Sequence, residues 1–196
     1  MGQEPAQGLW GQGAERKAMN TMNTTPIIIS IFGWSGSGKT TFIESAIQEC
    51  AGRGIFAAAV KKSKHKADLP LDTKDSARFR AAGASPSIYL SESEMVILAA
   101  PPPRMDAEAL IALCPGASII FCEGLDVPGA ALVLIAGAGT EERALKRPLA
   151  SIDILVAREG AMIDIAEAKG LAAFSPEQVE RFIEHVISRE ETNAHQ

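Results

Sequence analysis

The first strong pattern in the chain is an apolar run, followed by a glycine-rich segment and an amphipathic stretch. Residues 27–32 read Ile-Ile-Ile-Ser-Ile-Phe, which predicts a buried strand because β-branched and aromatic residues favour strands. Residues 41–50 then place apolar side chains at helical spacing, and Gly52 ends that helix. A second apolar run, at residues 55–60, predicts another buried strand. This order of strand, helix and strand predicts a right-handed crossover and a largely parallel sheet.

Later apolar runs extend the same architecture. Four of them predict strands, at residues 87–91, 95–99, 118–122 and 152–157. Three stretches predict helices, at residues 77–82, 107–113 and 179–187. The strands at 87–91 and 95–99 are separated by Glu-Ser-Glu in the manner of a hairpin, and we expect this hairpin to extend the main sheet.

The glycine-rich segment fits a phosphate-binding loop, here called the P-loop (residues 33–41). Its sequence, Gly-Trp-Ser-Gly-Ser-Gly-Lys-Thr-Thr, has the spacing Gly, four residues, Gly-Lys-Thr, and it stands between a predicted strand and a helix. Glycines allow the backbone to aim successive N–H groups at one anion, and the helix adds the positive end of its dipole. Lys39 is predicted to reach the β- and γ-phosphates and Thr40 to bind Mg²⁺. The predicted nucleotide-binding residues are Gly33, Trp34, Ser35, Gly36, Ser37, Gly38, Lys39, Thr40 and Thr41.

The P-loop in this context predicts the fold class. We expect an α/β, P-loop NTPase-like three-layer sandwich, with a mostly parallel sheet and helices on both faces. The predicted domain covers residues 25–190. Residues 1–24 are polar and glycine-rich without periodicity, so we expect a disordered extension or tag there, and residues 191–196 are expected to fray.

An acidic residue follows the strand predicted at residues 118–122. P-loop proteins place a carboxylate at the end of a buried strand, where it holds Mg²⁺ through water or orients the attacking water. Glu123 occupies that position and is followed by Gly124. We therefore assign Glu123 and Thr40 to the metal, and Lys39 and Glu123 to catalysis.

A basic segment follows the second predicted strand, at residues 61–76. Ligands of parallel sheets bind at the carboxyl ends of strands, so these cations are expected to face an anionic ligand. An ordinary solvated loop with a helix cap at Asp72 or Thr73 is the alternative. The candidate ligand residues of this loop are Lys61, His65, Asp68, Lys74 and Asp75.

Composition narrows the class of protein. A length of 196 residues suggests one domain, and a net charge of −5 argues against a bulk nucleic-acid binder. No apolar stretch approaches the roughly 20 residues that span a bilayer. The three cysteines lack metal-ligand spacing, which favours reduced thiols. We expect a cytoplasmic protein that binds neither nucleic acid nor membrane.

Several motifs together resemble the MobB family, the molybdopterin-guanine dinucleotide biosynthesis adapter proteins. The similar features are the segment from Trp34 to Thr41, the lysine-rich stretch with Asp68, the Lys74-Asp75-Ser76 sequence before residues 80–84, and Glu123-Gly124. The resemblance spans most of residues 26–182. It implies binding of GTP with Mg²⁺, weak GTP hydrolysis, a homodimer, and assistance to the guanylyltransferase that joins GMP to molybdopterin. Family members carry an aspartate after the late strand, where this chain has Arg158-Glu159, so Glu159 is the candidate contact to the base and the nucleotide preference stays open.

Two other classes of protein remain as alternatives. The chain could be a small-molecule P-loop kinase, an ATP-dependent phosphotransferase in which Arg143, Lys146 and Arg147 form a phosphate-clamping lid. It could also be a regulatory GTPase or metallochaperone, although the sequence has no Asn-Lys-x-Asp motif and no Cys/His-rich tract. Phosphate release without an acceptor favours a GTPase, whereas phosphate transfer to an acceptor favours a kinase. As an enzyme the chain is expected to be at most a weak GTPase.

Overall fold

The computed structural model describes residues 25–63, 74–158 and 160–193. They fall into two compact units. The described residues of 25–64 and 106–196 form the larger one, here called the sheet unit, and those of 65–105 form the smaller one, here called the hairpin unit. The extension predicted at residues 1–24 lies outside the described residues.

The described strands and helices alternate along most of the chain. The strands are β1 (Ile27–Phe32), β2 (Ala57–Lys61), β3 (Ser87–Leu90), β4 (Met95–Leu98), β5 (Ile119–Glu123), β6 (Ala131–Ala136), β7 (Ile154–Ala157) and β8 (Ala172–Phe174). The helices are α1 (Lys39–Gly52), α2 (Lys74–Ala81), α3 (Ala107–Leu113), α4 (Gly160–Ala168) and α5 (Val179–Asn193). Two short 3₁₀ turns cover Glu142–Ala144 and Leu149–Ser151. None of the described helices is long and apolar enough to cross a membrane.

The sheet unit is built on one six-stranded sheet with the order β2-β5-β1-β6-β7-β8. All of its strand pairs are parallel, as the sequence predicts. β1 lies inside the sheet, between β5 and β6. Its residues Ile28 to Phe32 are buried, as expected for a strand that is covered on both faces. The parallel order brings the carboxyl ends of β1, β5 and β6 to one edge of the sheet.

Apolar clusters on both faces of the sheet give the predicted three layers. One cluster joins Ile29 and Ile31 of β1 to Phe42 of α1 and Phe182 of α5. The other joins residues of β1, β6 and β7 to α4, through Phe32, Leu134, Leu155, Met162 and Ala166. The α/β, P-loop NTPase-like fold class is therefore confirmed.

The hairpin unit holds α2 and the antiparallel pair β3 and β4. Ser87 lies opposite Leu98, and its hydroxyl donates a hydrogen bond of 2.9 Å to the carbonyl of Ser76 in α2. The hairpin itself is as predicted, but the expectation that it extends the main sheet is wrong, because β3 and β4 form their own two-stranded sheet. A hairpin satisfies its inner backbone hydrogen bonds by itself, so its local pattern does not determine whether another sheet accepts it.

Several element boundaries differ from those predicted. Helix α2 begins at Lys74 rather than at residue 77, and α5 continues to Asn193, into the tail predicted from residue 191. Three elements, β6, α4 and β8, are not among those predicted from the sequence. The segment of β6, Ala-Leu-Val-Leu-Ile-Ala, carries a clear apolar signal that predicts a buried strand.

Candidate functional site

The candidate site lies where β1 and β5 end side by side. Ile31 is opposite Glu123 in the parallel register, so the last residue of β5 stands beside the end of β1. The chain leaves β1 at Gly33, passes through the P-loop and enters α1 at Lys39. The sheet therefore brings the P-loop, the first turn of a helix and a carboxylate to one place, as the sequence predicts.

The P-loop glycines adopt backbone conformations that other residues rarely reach. Gly36 and Gly38 have φ angles of 75° and 91°, in the left-handed region. Gly33 is also constrained by space, since a Cβ there would lie 2.5 Å from both the Ile135 carbonyl oxygen and the Ser37 hydroxyl. The glycines of the motif are thus required by the shape of the loop and by its close approach to β6.

Lys39 folds back onto its own loop. Its Nζ donates a hydrogen bond of 2.7 Å to the carbonyl of Trp34, which also accepts the backbone N–H of Ser37 at 3.2 Å. Burial lowers the pKa of Lys39; nearby Lys146 and Lys61 lower it further, and Glu123 opposes them. The ammonium of Lys39 therefore lies in surroundings that favour an arriving anion.

Glu123 is the carboxylate at the centre of the site. The Thr40 hydroxyl donates a hydrogen bond of 3.0 Å to its Oε2, and the Lys61 ammonium lies 3.2 Å from its Oε1. The Glu123 side chain is only 14% exposed, whereas that of Lys61 is 60% exposed. The structure thus brings together Lys61 of the predicted basic loop and the two residues assigned to the metal.

The oxygen atoms of Thr40 and Glu123 suit Mg²⁺ bound together with a nucleotide. They do not form a metal site made of protein ligands alone. Among the described residues, no group of three or more His, Cys, Asp or Glu side chains could hold a metal ion. Mg²⁺ does not need such a group, because it binds through one or two protein oxygens, with phosphates and water as the remaining ligands. One hydroxyl and one neighbouring carboxylate meet that requirement.

The segment after β6, which the kinase alternative treats as a phosphate-clamping lid, covers one side of the P-loop. The Trp34 indole N–H donates a hydrogen bond of 2.7 Å to the carbonyl of Ala144. The Lys146 ammonium lies 3.4 Å from the carbonyl oxygen of Gly33 and 5.9 Å from the centre of the Trp34 ring. The signal available in the sequence is the tryptophan at the first variable position of the motif, because its indole N–H can donate a hydrogen bond to a neighbouring segment.

This segment also bears on the lid proposed for a kinase. Arg147 pairs with Asp126 and stacks over the Phe32 ring, 4.0 Å from its centre, so its guanidinium is held in place within the fold. The side chain of Arg143 lies outside the described residues. Of the three proposed lid cations, Lys146 is the one whose described contacts are with the P-loop.

A cavity of about 760 Å³ opens along the same segment. Its lining combines apolar and acidic side chains, those of Glu141, Glu142, Leu145, Pro148 and Leu149. The Glu142 carboxylate also pairs with Lys169. The cavity is therefore placed next to the residues that contact the P-loop, and its carboxylates are hydrogen-bond acceptors.

The other residues predicted from the sequence lie in the hairpin unit, outside the described residues, or within the P-loop itself. Asp75 lies in the first turn of α2 in the hairpin unit, where its carboxylate is 3.5 Å from Arg78. His65, Asp68 and Glu159 lie outside the described residues, as does the side chain of Lys74. Within the P-loop, Ser35 is exposed, the Thr41 carbonyl accepts the Ser45 hydroxyl at 3.1 Å, and the buried Ser37 hydroxyl has no partner among the described residues.

Comparison with known protein families gives one match that covers most of the chain. The family model described as MobB, molybdopterin guanine dinucleotide synthesis protein B, matches residues 28–152. These residues include the P-loop, Glu123 and the segment that contacts Trp34. The match therefore spans the whole candidate site.

Similar proteins and structures agree with that match. A molybdopterin-guanine dinucleotide biosynthesis adapter protein of Escherichia coli is 27% identical over 171 residues, which are 79% of this chain and 94% of that protein. A protein of the same name from Haemophilus influenzae is 34% identical over 89 residues, 45% of this chain and 50% of that protein. The crystal structure of Bacillus subtilis MobB superposes with a TM-score of 0.61 at 23% identity, covering 81% of this chain and 96% of that one. The last similarity shows a shared fold.

Proposed function

Because this chain belongs to the MobB family, we propose that it is a GTP-binding adapter protein of molybdenum cofactor biosynthesis. In this role it acts in the cytoplasm and assists the guanylyltransferase that attaches GMP to molybdopterin. The observation that carries the nucleotide part of the proposal is the arrangement of Lys39, Thr40 and Glu123 around a glycine-rich loop at the carboxyl edge of the sheet. The adapter role is supported by the names of the similar proteins from Escherichia coli and Haemophilus influenzae.

The contacts of the site suggest how each residue serves nucleotide binding. The backbone N–H groups of the P-loop hold the phosphates, and Lys39 exchanges the Trp34 carbonyl for the β- and γ-phosphate oxygens. Thr40 and Glu123 would hold Mg²⁺, which would supply positive charge that neutralises the phosphates. Lys61, now paired with Glu123, adds a cation at the same edge. Glu123 also orients the water that attacks the terminal phosphate, and we expect this hydrolysis to be slow.

The preference for guanine is also part of the proposal. A carboxylate accepts hydrogen bonds from the N–H donors of guanine, which adenine does not present in the same pattern. The sequence makes Glu159 the candidate for this contact, and Glu159 lies outside the described residues. The affinities of the chain for GTP and for ATP, compared directly, test this preference.

A homodimer is the oligomeric state that we propose. The hairpin unit exposes several large apolar side chains of β3 and β4, and contact of such a patch with water is unfavourable. These side chains are those of Ile88, Leu90, Met95 and Ile97. A second copy of the chain would cover them. Light scattering should therefore report a dimer for the wild type and a monomer for Leu90→Glu with Ile97→Glu. Leu113→Glu, which replaces an exposed leucine of the sheet unit, is the matched control and should remain dimeric.

The adapter role is tested by reconstituting the reaction that it is proposed to assist. Purified guanylyltransferase, molybdopterin and GTP are combined with and without this chain, and the dinucleotide cofactor is measured. We expect a higher yield with the wild type, and no gain with Lys39→Ala. An equal yield in all three reactions contradicts the adapter role, whereas an equal gain with both forms of the chain contradicts the part that the P-loop plays in it.

A further inference from the structure

The segment that follows β6 places a second ammonium group at the P-loop. Lys146 approaches the carbonyl oxygen of Gly33 at 3.4 Å, and Lys39 approaches the next carbonyl, that of Trp34, at 2.7 Å. A contact of 3.4 Å to a neutral carbonyl is a weak hydrogen bond, so Lys146 can move to a better acceptor at little cost. The two ammonium groups thus lie on consecutive peptide units of the same loop.

The neighbouring cation does not share this freedom. Arg147 is bound by Asp126 and by the Phe32 ring. Lys146, in contrast, makes its described contacts with the Gly33 carbonyl and the face of Trp34. Among the described residues, no carboxylate pairs with Lys146. The segment therefore holds Lys146 at the P-loop and leaves its charge without a pair in the described part of the chain.

Trp34 fixes the distance between the segment and the loop. Its indole N–H is bonded to the Ala144 carbonyl, two residues before Lys146, at 2.7 Å. The ammonium of Lys146 in turn lies over the same ring at 5.9 Å. An aromatic face attracts a cation from this distance. Through these two contacts, Trp34 holds Lys146 beside the P-loop in the absence of a ligand.

The charge balance of the site calls for a ligand with several negative charges. Lys61 and Lys146 both lie close enough to Lys39 to lower its pKa, whereas Glu123, which pairs with Lys61, raises it. Three cations and one carboxylate leave a positive excess at the loop. An anion with several charges is the ligand that balances such an excess, and the terminal phosphates of a nucleotide are of that kind.

We propose that Lys146 is a second phosphate-binding lysine, which leaves the Gly33 carbonyl to bind the terminal phosphate of a nucleoside triphosphate. This inference rests on the proposed nucleotide binding, and it adds a residue from outside the motif to the same site. Lys39 is assigned to the β- and γ-phosphates, and Lys146 lies beside it on the P-loop. The contribution of Lys146 is therefore larger for a triphosphate than for a diphosphate.

The test uses the full chain with Trp10→Phe, which leaves Trp34 as the single tryptophan. Trp34 fluorescence then follows titration with a non-hydrolysable GTP analogue and with GDP, both with Mg²⁺. Lys146→Gln should weaken binding of the triphosphate analogue by about tenfold or more, as expected for loss of a charged hydrogen bond. Binding of GDP should weaken clearly less, and Lys146→Arg should recover most of the triphosphate affinity.

Two control variants separate the possible results. Lys169→Gln removes a cation that pairs with Glu142 of the same segment, and it should leave both affinities unchanged. Lys39→Ala should abolish binding of both nucleotides. The inference on Lys146 is overturned if Lys146→Gln binds like the wild type, if it loses triphosphate and diphosphate equally, or if Lys169→Gln loses as much. In those cases nucleotide binding itself stands, whereas a wild type that binds neither nucleotide overturns both proposals.

Discussion

The hydroxyl of Thr40, at the start of α1, donates a hydrogen bond of 3.0 Å to the carboxylate of Glu123, at the end of β5. The two residues are 83 positions apart in the chain, and the parallel pairing of β1 with β5 brings them together. Mg²⁺, if bound here, would be held by the Thr40 hydroxyl oxygen and by the Glu123 carboxylate. The fold itself therefore assembles the proposed metal site.

Replacing the carboxylate of this pair should uncouple nucleotide binding from Mg²⁺. Glu123→Gln keeps the size of the side chain but removes the charge that attracts the cation. We expect the gain in GTP affinity on adding Mg²⁺ to fall by about tenfold. Isothermal titration calorimetry with GTP, in the presence and absence of Mg²⁺, measures this gain in affinity. Glu184→Gln, which removes a carboxylate that pairs with Arg53, should retain the full gain, and an unchanged gain in Glu123→Gln would count against the metal site.

The P-loop should not tolerate a side chain at its first glycine. In Gly33→Ala the new Cβ would lie 2.5 Å from the Ile135 carbonyl oxygen, at a φ of 155°. Relief requires the loop to move away from β6, and we expect a loss of about 1–3 kcal/mol in the free energy of unfolding. Urea unfolding monitored by circular dichroism measures this loss.

Gly52→Ala is the matched control for that substitution. A Cβ at Gly52 meets nothing within 4 Å, and the residue ends α1. Alanine favours a helix by roughly 0.5–1 kcal/mol over glycine, so this variant should be neutral or slightly more stable. Equal losses in the two variants would show that the close contact at Gly33 is not the cause.

Much of this site was predictable because it depends on local sequence. The P-loop pattern stands directly after a strand, and the Glu123 position is the end of another buried strand. The sequence offers the segment around Lys146 only as the lid of the kinase alternative. Its contacts with Gly33 and Trp34 do not follow from local sequence, because they join residues more than a hundred positions apart. Such contacts depend on which strands are neighbours in the sheet, and β6, from which this segment leaves the sheet, is not among the strands predicted from the sequence.

The hairpin shows the same limit in another form. Its two strands follow from their apolar residues and from the polar Glu92-Ser93-Glu94 between them. The choice of a separate sheet does not follow, because a strand pattern carries no information on which edge accepts it. The exposed apolar side chains of β3 and β4 were visible only in the structure.

The pH dependence of stability should reveal the unfavourable charge of Lys39. Its pKa is lowered below 10.5, chiefly by burial, so the charged form costs free energy in the folded state. That cost is present below the folded pKa and disappears as the pH rises through the lowered pKa toward the unfolded value. The wild type should therefore gain stability relative to Lys39→Met as the pH rises toward the ordinary lysine pKa of 10.5. Urea unfolding of both forms measures the difference, and a difference that stays constant or falls would be the contrary result.

The core that supports the P-loop helix should depend on Phe182. The centre of its ring lies 5.0 Å from that of Phe42 in α1 and 5.9 Å from that of Phe174 in β8, both in edge-to-face arrangements. The Phe182 side chain is fully buried. Phe182→Ala should lower the free energy of unfolding by about 3–5 kcal/mol. Phe56→Ala, at a side chain that is 51% exposed, should change it by less than about 1 kcal/mol. Similar losses at both positions would contradict this view of the core.

The central claim is that the P-loop binds GTP, and thermal unfolding with each nucleotide tests it most directly. The wild type and Lys39→Ala are heated with Mg²⁺ and an excess of GTP, ATP or CTP. A ligand at 100 times its Kd adds about 2.7 kcal/mol, which for a chain of this size raises the Tm by roughly 5–11 °C. We predict this rise for the wild type with GTP, a smaller one with ATP or CTP, and none for Lys39→Ala. A rise selective for ATP, or no rise with any nucleotide, would contradict the claim.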